Sequence, residues 1–96
     1  MALEIEWTAE AEDQLDGIIE YLESRWTERE IKQFFQKLEK GLESIANKPR
    51  QHKESLRKEN SREYQVTKHT TLFYDFDKEK ATVLLLWQNA MNPENL

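Results

Sequence analysis

The feature that most constrains this chain is a change of hydrophobic period at Asn47-Lys48-Pro49. Before it, apolar residues recur at helical spacing; after it, they alternate as in strands. Ala11, Leu15, Ile18, Ile19, Leu22 and Trp26 form one helical stripe, and Ile31, Phe34, Phe35, Leu38, Leu42 and Ile45 form a second. Thr8 is placed to cap the first helix, with Glu10, Glu12 and Asp13 in its first turn, where negative charge suits the helix dipole. Thr27-Glu28-Arg29-Glu30 reads as a capping box that opens the second helix. That helix stops before Pro49, because the residue preceding proline avoids helical geometry. With almost no linker between them, the two helices are expected to fold back as a hairpin on a common partner.

The strand signals supply that partner. Leu3 to Trp7 alternates apolar with polar, and so does Glu63 to Thr67. Thr71 to Phe76 is rich in β-formers, and Ala81 to Trp87 is a nearly continuous apolar run, expected to be central and buried on both faces. The connections Lys68-His69-Thr70 and Asp77 to Lys80 are short and polar, predicting an antiparallel meander, while residues 49–60 predict a loop or short edge strand. The order is β-α-α-β-β-β, an α+β fold in which the helical hairpin packs on one face of a small, mostly antiparallel, twisted sheet. Leu15, Ile19, Leu22, Phe35, Leu38, Leu42, Val83 and Leu85 are the expected core.

A chain of 96 residues predicts a single domain, 1–96, that buries roughly 60–65% of its surface. No stretch approaches the ~18 apolar residues of a membrane span, and the start MALEIEW lacks the regions of a signal peptide. Absence of cysteine excludes disulfides and thiolate chemistry and fits a cytoplasmic protein. Two histidines, neither in a cluster with metal-ligand spacing, argue against a metal. The net charge of −5 opposes general nucleic-acid binding, yet it is uneven. Lys48 to His69 carries seven basic residues against three acidic ones, which reads either as solvated charge or as an anion-facing patch.

With this order, the chain resembles the RelE/ParE-type toxins of type II toxin–antitoxin systems, in the branch labelled plasmid stabilisation proteins. The resemblance rests on Trp7-Thr8 with Ala11 and Leu15, Ile19 to Leu22 with Trp26, Arg62 to His69, Leu72-Phe73-Tyr74, and Leu86 to Asn89 through Asn92-Pro93. It implies a toxin needing no cofactor and neutralised by a cognate antitoxin, while the amphipathic hairpin and open sheet edge of so small a domain predict self-association, as a homodimer, when free. Three modes stay open. A ParE-like toxin binds a protein target, DNA gyrase, and a RelE-like one cleaves mRNA on the ribosome. A degenerate member keeps only antitoxin binding.

For the nuclease mode, a metal-free site needs a base, an acid and cations for the developing phosphorane charge. Arg57, Arg62, Lys68, His69 and Tyr74 are the candidates, without a defined catalytic set. For target binding the candidates are Arg57, Arg62, Tyr64, Lys68 and Trp87. Relatives commonly carry Asp-x-Arg-Gln-Asn-Pro after the last strand. Aligned on Asn92-Pro93, Ala90 stands where that arginine falls, which favours the binding mode over phosphoryl chemistry.

Overall fold

A computed structural model describes residues 2–88. Strand β1 (Glu4–Trp7) leads into helices α1 (Ala9–Arg25) and α2 (Glu28–Asn47), followed by strands β2 (Arg62–Thr67), β3 (Thr70–Phe76) and β4 (Lys80–Gln88). Both helix starts follow from local chemistry. Thr8 Oγ1 accepts from the Ala11 N–H at 3.0 Å. Thr27 Oγ1 accepts from the Glu30 N–H at 3.4 Å, while Glu30 Oε1 accepts from the Thr27 N–H at 3.2 Å, completing the capping box.

The sheet order is β1-β4-β3-β2, antiparallel except for β1, which runs parallel to β4 from Glu4↔Lys80 to Trp7↔Val83. Both helices lie on one face, α1 chiefly on β4 and α2 chiefly on β2. Among the described residues, no helix is long and apolar enough to cross a membrane.

The last strand is inner but is covered on one face only. Phe73 pairs with Leu85 and Tyr74 with Val83, so Leu84 is an extra residue in β4. One inserted residue inverts the alternation downstream. Ala81 and Val83 face the helices before the bulge, and Leu86 does so after it. Leu85, expected in the core, falls on the opposite face, half-buried, and Trp87 beside it is 42% exposed. The apolar run is therefore not buried on both sides.

The helix stripes are also slightly rotated from expectation. Buried positions are Ala11, Ile18 and Leu22 on α1, and Phe34, Leu38, Gly41, Ile45 and Ala46 on α2. Leu15, Ile19 and Leu42 flank these lines and are half-buried. Phe35, one residue past the buried line, is 38% exposed, its ring edge-on to Phe34. Trp26 is not inside the first stripe: it is the extended cap that ends α1, and it is 42% exposed.

β1 stops at Trp7 while β4 continues, which leaves an open edge. Two α1-side groups cover part of it. Thr8 Oγ1 donates to the Leu84 carbonyl at 3.1 Å, and Gln14 Oε1 accepts from the Leu86 N–H at 2.7 Å.

Candidate functional site

Residues 49–61 form a loop with a single bridge to the sheet, Glu54↔Arg62, and this loop distributes the basic side chains over two faces. Its turn is built by Ser55. The Ser55 hydroxyl accepts from the Arg57 and Lys58 N–H groups, each at 3.0 Å, and donates to Glu63 Oε2 at 2.6 Å. The loop closes at Asn60, whose φ of 59° is left-handed, a conformation asparagine tolerates better than most residues.

On the face away from the helices, Glu63, Phe73 and Leu85 stand in one cross-strand row, and Gln65, Thr71 and Trp87 in the next. Arg57 reaches over this face. Its Nη2 donates to Glu63 Oε1 at 2.9 Å and its Nε to Glu63 Oε2 at 3.4 Å, while its guanidinium carbon lies 5.2 Å from the Phe73 ring centre. Lys53 Nζ is 3.9 Å from the same carboxylate. The Glu63 side chain is 7% exposed, yet it sits in a shallow part of the sheet. The bond from Arg57 therefore outweighs desolvation, and with help from Ser55 it holds the carboxyl below the usual carboxylate range. The guanidinium is in turn raised by that bond.

Arg62 lies on the other side. Its Nη1 donates to the His52 carbonyl at 2.6 Å and to the Arg50 carbonyl at 3.3 Å. Its guanidinium also stands 5.8 Å from the Phe76 ring centre. Tyr74 is fully buried and donates its hydroxyl to the Pro49 carbonyl at 2.6 Å. Burial pushes this phenol up to about 12, against the opposing charge of Arg62, which puts it out of range for proton transfer near neutrality. Tyr64 is wedged against Gly41 and the edge of the His52 ring. Arg62, Tyr64 and Tyr74 thus anchor the loop to the helix side of the sheet.

Lys68 and His69 form the exposed tip of the β2–β3 turn, where Thr67 Oγ1 accepts from the N–H groups of His69 and Thr70. They line a recess of about 400 Å³ with Trp26, Glu30, Phe34 and Lys37. The candidates are therefore dispersed: Arg57 and Trp87 on the open face, Arg62, Tyr64 and Tyr74 under the loop, and Lys68 and His69 at a turn. Ala90 lies outside the described residues. Among those described, no group of His, Asp and Glu could hold a metal ion.

Lys53, Leu56, Glu63, Phe73 and His52 were not singled out by sequence. Glu63 carried one signal, an acidic residue at an alternating strand position between Arg62 and Tyr64. Leu56 carried none; it is fully exposed in the loop.

His52 gives a pH prediction. Its Nε2 is 3.0 Å from Ser44 Oγ, and its ring packs edge-on against Tyr64 and Tyr74. Burial, and then the charge of Arg62, lower its pKa from the ordinary value. The unfolded chain therefore binds more protons as pH falls through about 6.5, and stability present above that value is lost toward the folded pKa. The melting midpoint is expected to drop between pH 7.5 and 5.5, and His52→Gln should flatten that drop. An equal drop in both proteins would contradict the assignment. Glu63 acts lower: its carboxyl is held below the ordinary carboxylate range, so its contribution is present above that range and lost as pH falls through it.

Comparison with known proteins follows the same outline. A family model, the ParE toxin of the type II toxin–antitoxin system parDE, matches residues 5–93. Sequence comparison with curated proteins finds no match. Among solved structures, the chromosomal ParDE toxin–antitoxin system of P. aeruginosa is similar with a TM-score of 0.75 at 11% identity, covering 91% of this chain and 96% of that one. The E. coli DinJ-YafQ toxin–antitoxin complex is similar with a TM-score of 0.62 at 11% identity, covering 95% and 97%.

Proposed function

We propose that this chain, which belongs to the ParE toxin family of type II toxin–antitoxin systems, acts by docking on a protein target, DNA gyrase, rather than by cutting RNA. The observation that carries this reading is the dispersal of its basic groups. Metal-free RNA cleavage requires acid, base and cations around one phosphate. Here Arg57 is paired with Glu63, Arg62 is bound to backbone carbonyls, and Lys68 and His69 sit at a separate turn. The open face instead presents Trp87 and Leu85, with the Arg57 guanidinium over Phe73 on the same face, a composition suited to protein contact. A cognate antitoxin neutralises the toxin by covering its surface, a partner supported by the similarity to toxin–antitoxin assemblies.

The test is twofold. Purified protein should inhibit supercoiling by purified gyrase, and message recovered after induction should remain uncut in primer extension. Discrete codon-linked cuts would overturn the binding mode in favour of the ribosome-dependent endonuclease. Neither effect, with an antitoxin complex still recovered on co-expression, would mark a member that keeps only antitoxin binding.

A further inference from the structure

Lys53 and Arg57 both converge on one acid of the open face, Glu63. We propose that Glu63 is a specificity determinant that withholds this face from polyphosphate ligands and leaves it to a protein partner. This rests on the reading of the open face as a protein-docking surface.

A cation whose charge is already met by a carboxylate attracts a phosphate less than a free one does. Arg57 directs both Nε and Nη2 into the Glu63 carboxylate, and the plane of its guanidinium covers Phe73. Glu63 is held from a second side by the Ser55 hydroxyl and, opposite Phe73 in the strand register, is almost wholly buried. The acid therefore stays in place when a ligand approaches. An incoming phosphate could reach only the remaining N–H donors of Arg57, and there it would meet the fixed negative charge of Glu63. Farther along the face, Asp75 lies opposite Thr82 in the register and adds negative charge, while Glu6, on the other side of Thr82, is paired with Lys80 at 2.9 Å. The guanidinium–carboxylate pair is close to neutral as a unit. On the same face, in the next cross-strand row, Trp87 offers apolar area that a protein surface can bury and a phosphate backbone cannot.

The experiment measures binding of a fluorescent 20-nucleotide single-stranded RNA by anisotropy across a salt series. It compares wild type, Arg57→Gln, Lys78→Gln, Glu63→Gln and Glu79→Gln. Glu79 sits in the β3–β4 connection, so its variant makes the same charge change away from Arg57. Arg57→Gln is expected to lose no more affinity than Lys78→Gln, which removes one positive charge in the β3–β4 connection, because the Arg57 cation is already engaged. Glu63→Gln should gain roughly eightfold affinity per released phosphate contact at 50 mM salt, with a salt slope steeper by ~0.7 per contact. Glu79→Gln should not. A loss in Arg57→Gln larger than in Lys78→Gln, or a gain in Glu63→Gln no larger than in Glu79→Gln, would overturn the proposal. Should Glu63→Gln fail to fold, as judged by circular dichroism, the Arg57→Gln comparison decides alone. Gyrase inhibition reads a separate property: its absence would remove the gyrase assignment, while the RNA measurements would still decide the role of Glu63.

Discussion

Leu38→Ala is expected to destabilise the fold by about 2–5 kcal/mol, the range for truncating a buried leucine. Leu38 is 4% exposed and sits midway along the buried line of α2, between Phe34 and Ile45. It belongs to the cluster that joins both helices to the sheet through Ile18, Leu22, Val66 and Leu72. Truncation there leaves a cavity inside this cluster. At about 4–8 °C per kcal/mol for a domain of this size, the melting midpoint should fall by on the order of 10–40 °C. Phe35→Ala is the control, because Phe35 is larger yet 38% exposed. Its effect should be no more than about half as large. Thermal melts of the two variants read the rotation of α2 directly. If Phe35→Ala proves the more damaging, the helix is out of phase with this description.

Gly41→Ala sets two effects against each other. Alanine is favoured over glycine inside a helix by about 1 kcal/mol. A Cβ at position 41, however, would lie 2.5 Å from Cε1 and 2.9 Å from Cδ1 of Tyr64. The ring cannot retreat freely, since His52 stands edge-on behind it with centroids 5.0 Å apart. Overpacking of this kind typically costs about 1–3 kcal/mol, so strain should outweigh propensity and leave a net loss of about 1–2 kcal/mol. The sign should reverse in a Tyr64→Ala background, where the clash is gone and propensity alone acts. Denaturant unfolding of the four proteins in that cycle measures both numbers. A Gly41→Ala variant that is stabilised with Tyr64 present would exclude the close packing of α2 on β2.

Much of this architecture was legible because its signals are local. Thr8, and Thr27 with Glu30, announce helix starts through bonds that span three residues, and Pro49 ends α2 through a clash with its immediate neighbour. The six elements and their order follow from such short-range rules. The candidate site was less legible. The basic residues were visible in the sequence, and Arg57 and Trp87 do reach the open face. But the count of charges between Lys48 and His69 does not say which are already paired.

What only the tertiary structure decided depends on contacts far apart in the chain. The first strand pairs parallel with the last, Ile5 opposite Ala81, a choice no local pattern encodes. The extra residue at Leu84 inverts the phase of β4, so Leu86 enters the core and Leu85 does not. Alternation in a strand fixes which residues share a face only as far as the next bulge, and a bulge is set by the partner strand. Gly41 meets Tyr64 across two elements, and Glu63 captures Arg57 through space rather than through sequence. Local backbone chemistry determined the elements; register and charge pairing across the folded sheet determined which of them build a surface that can bind.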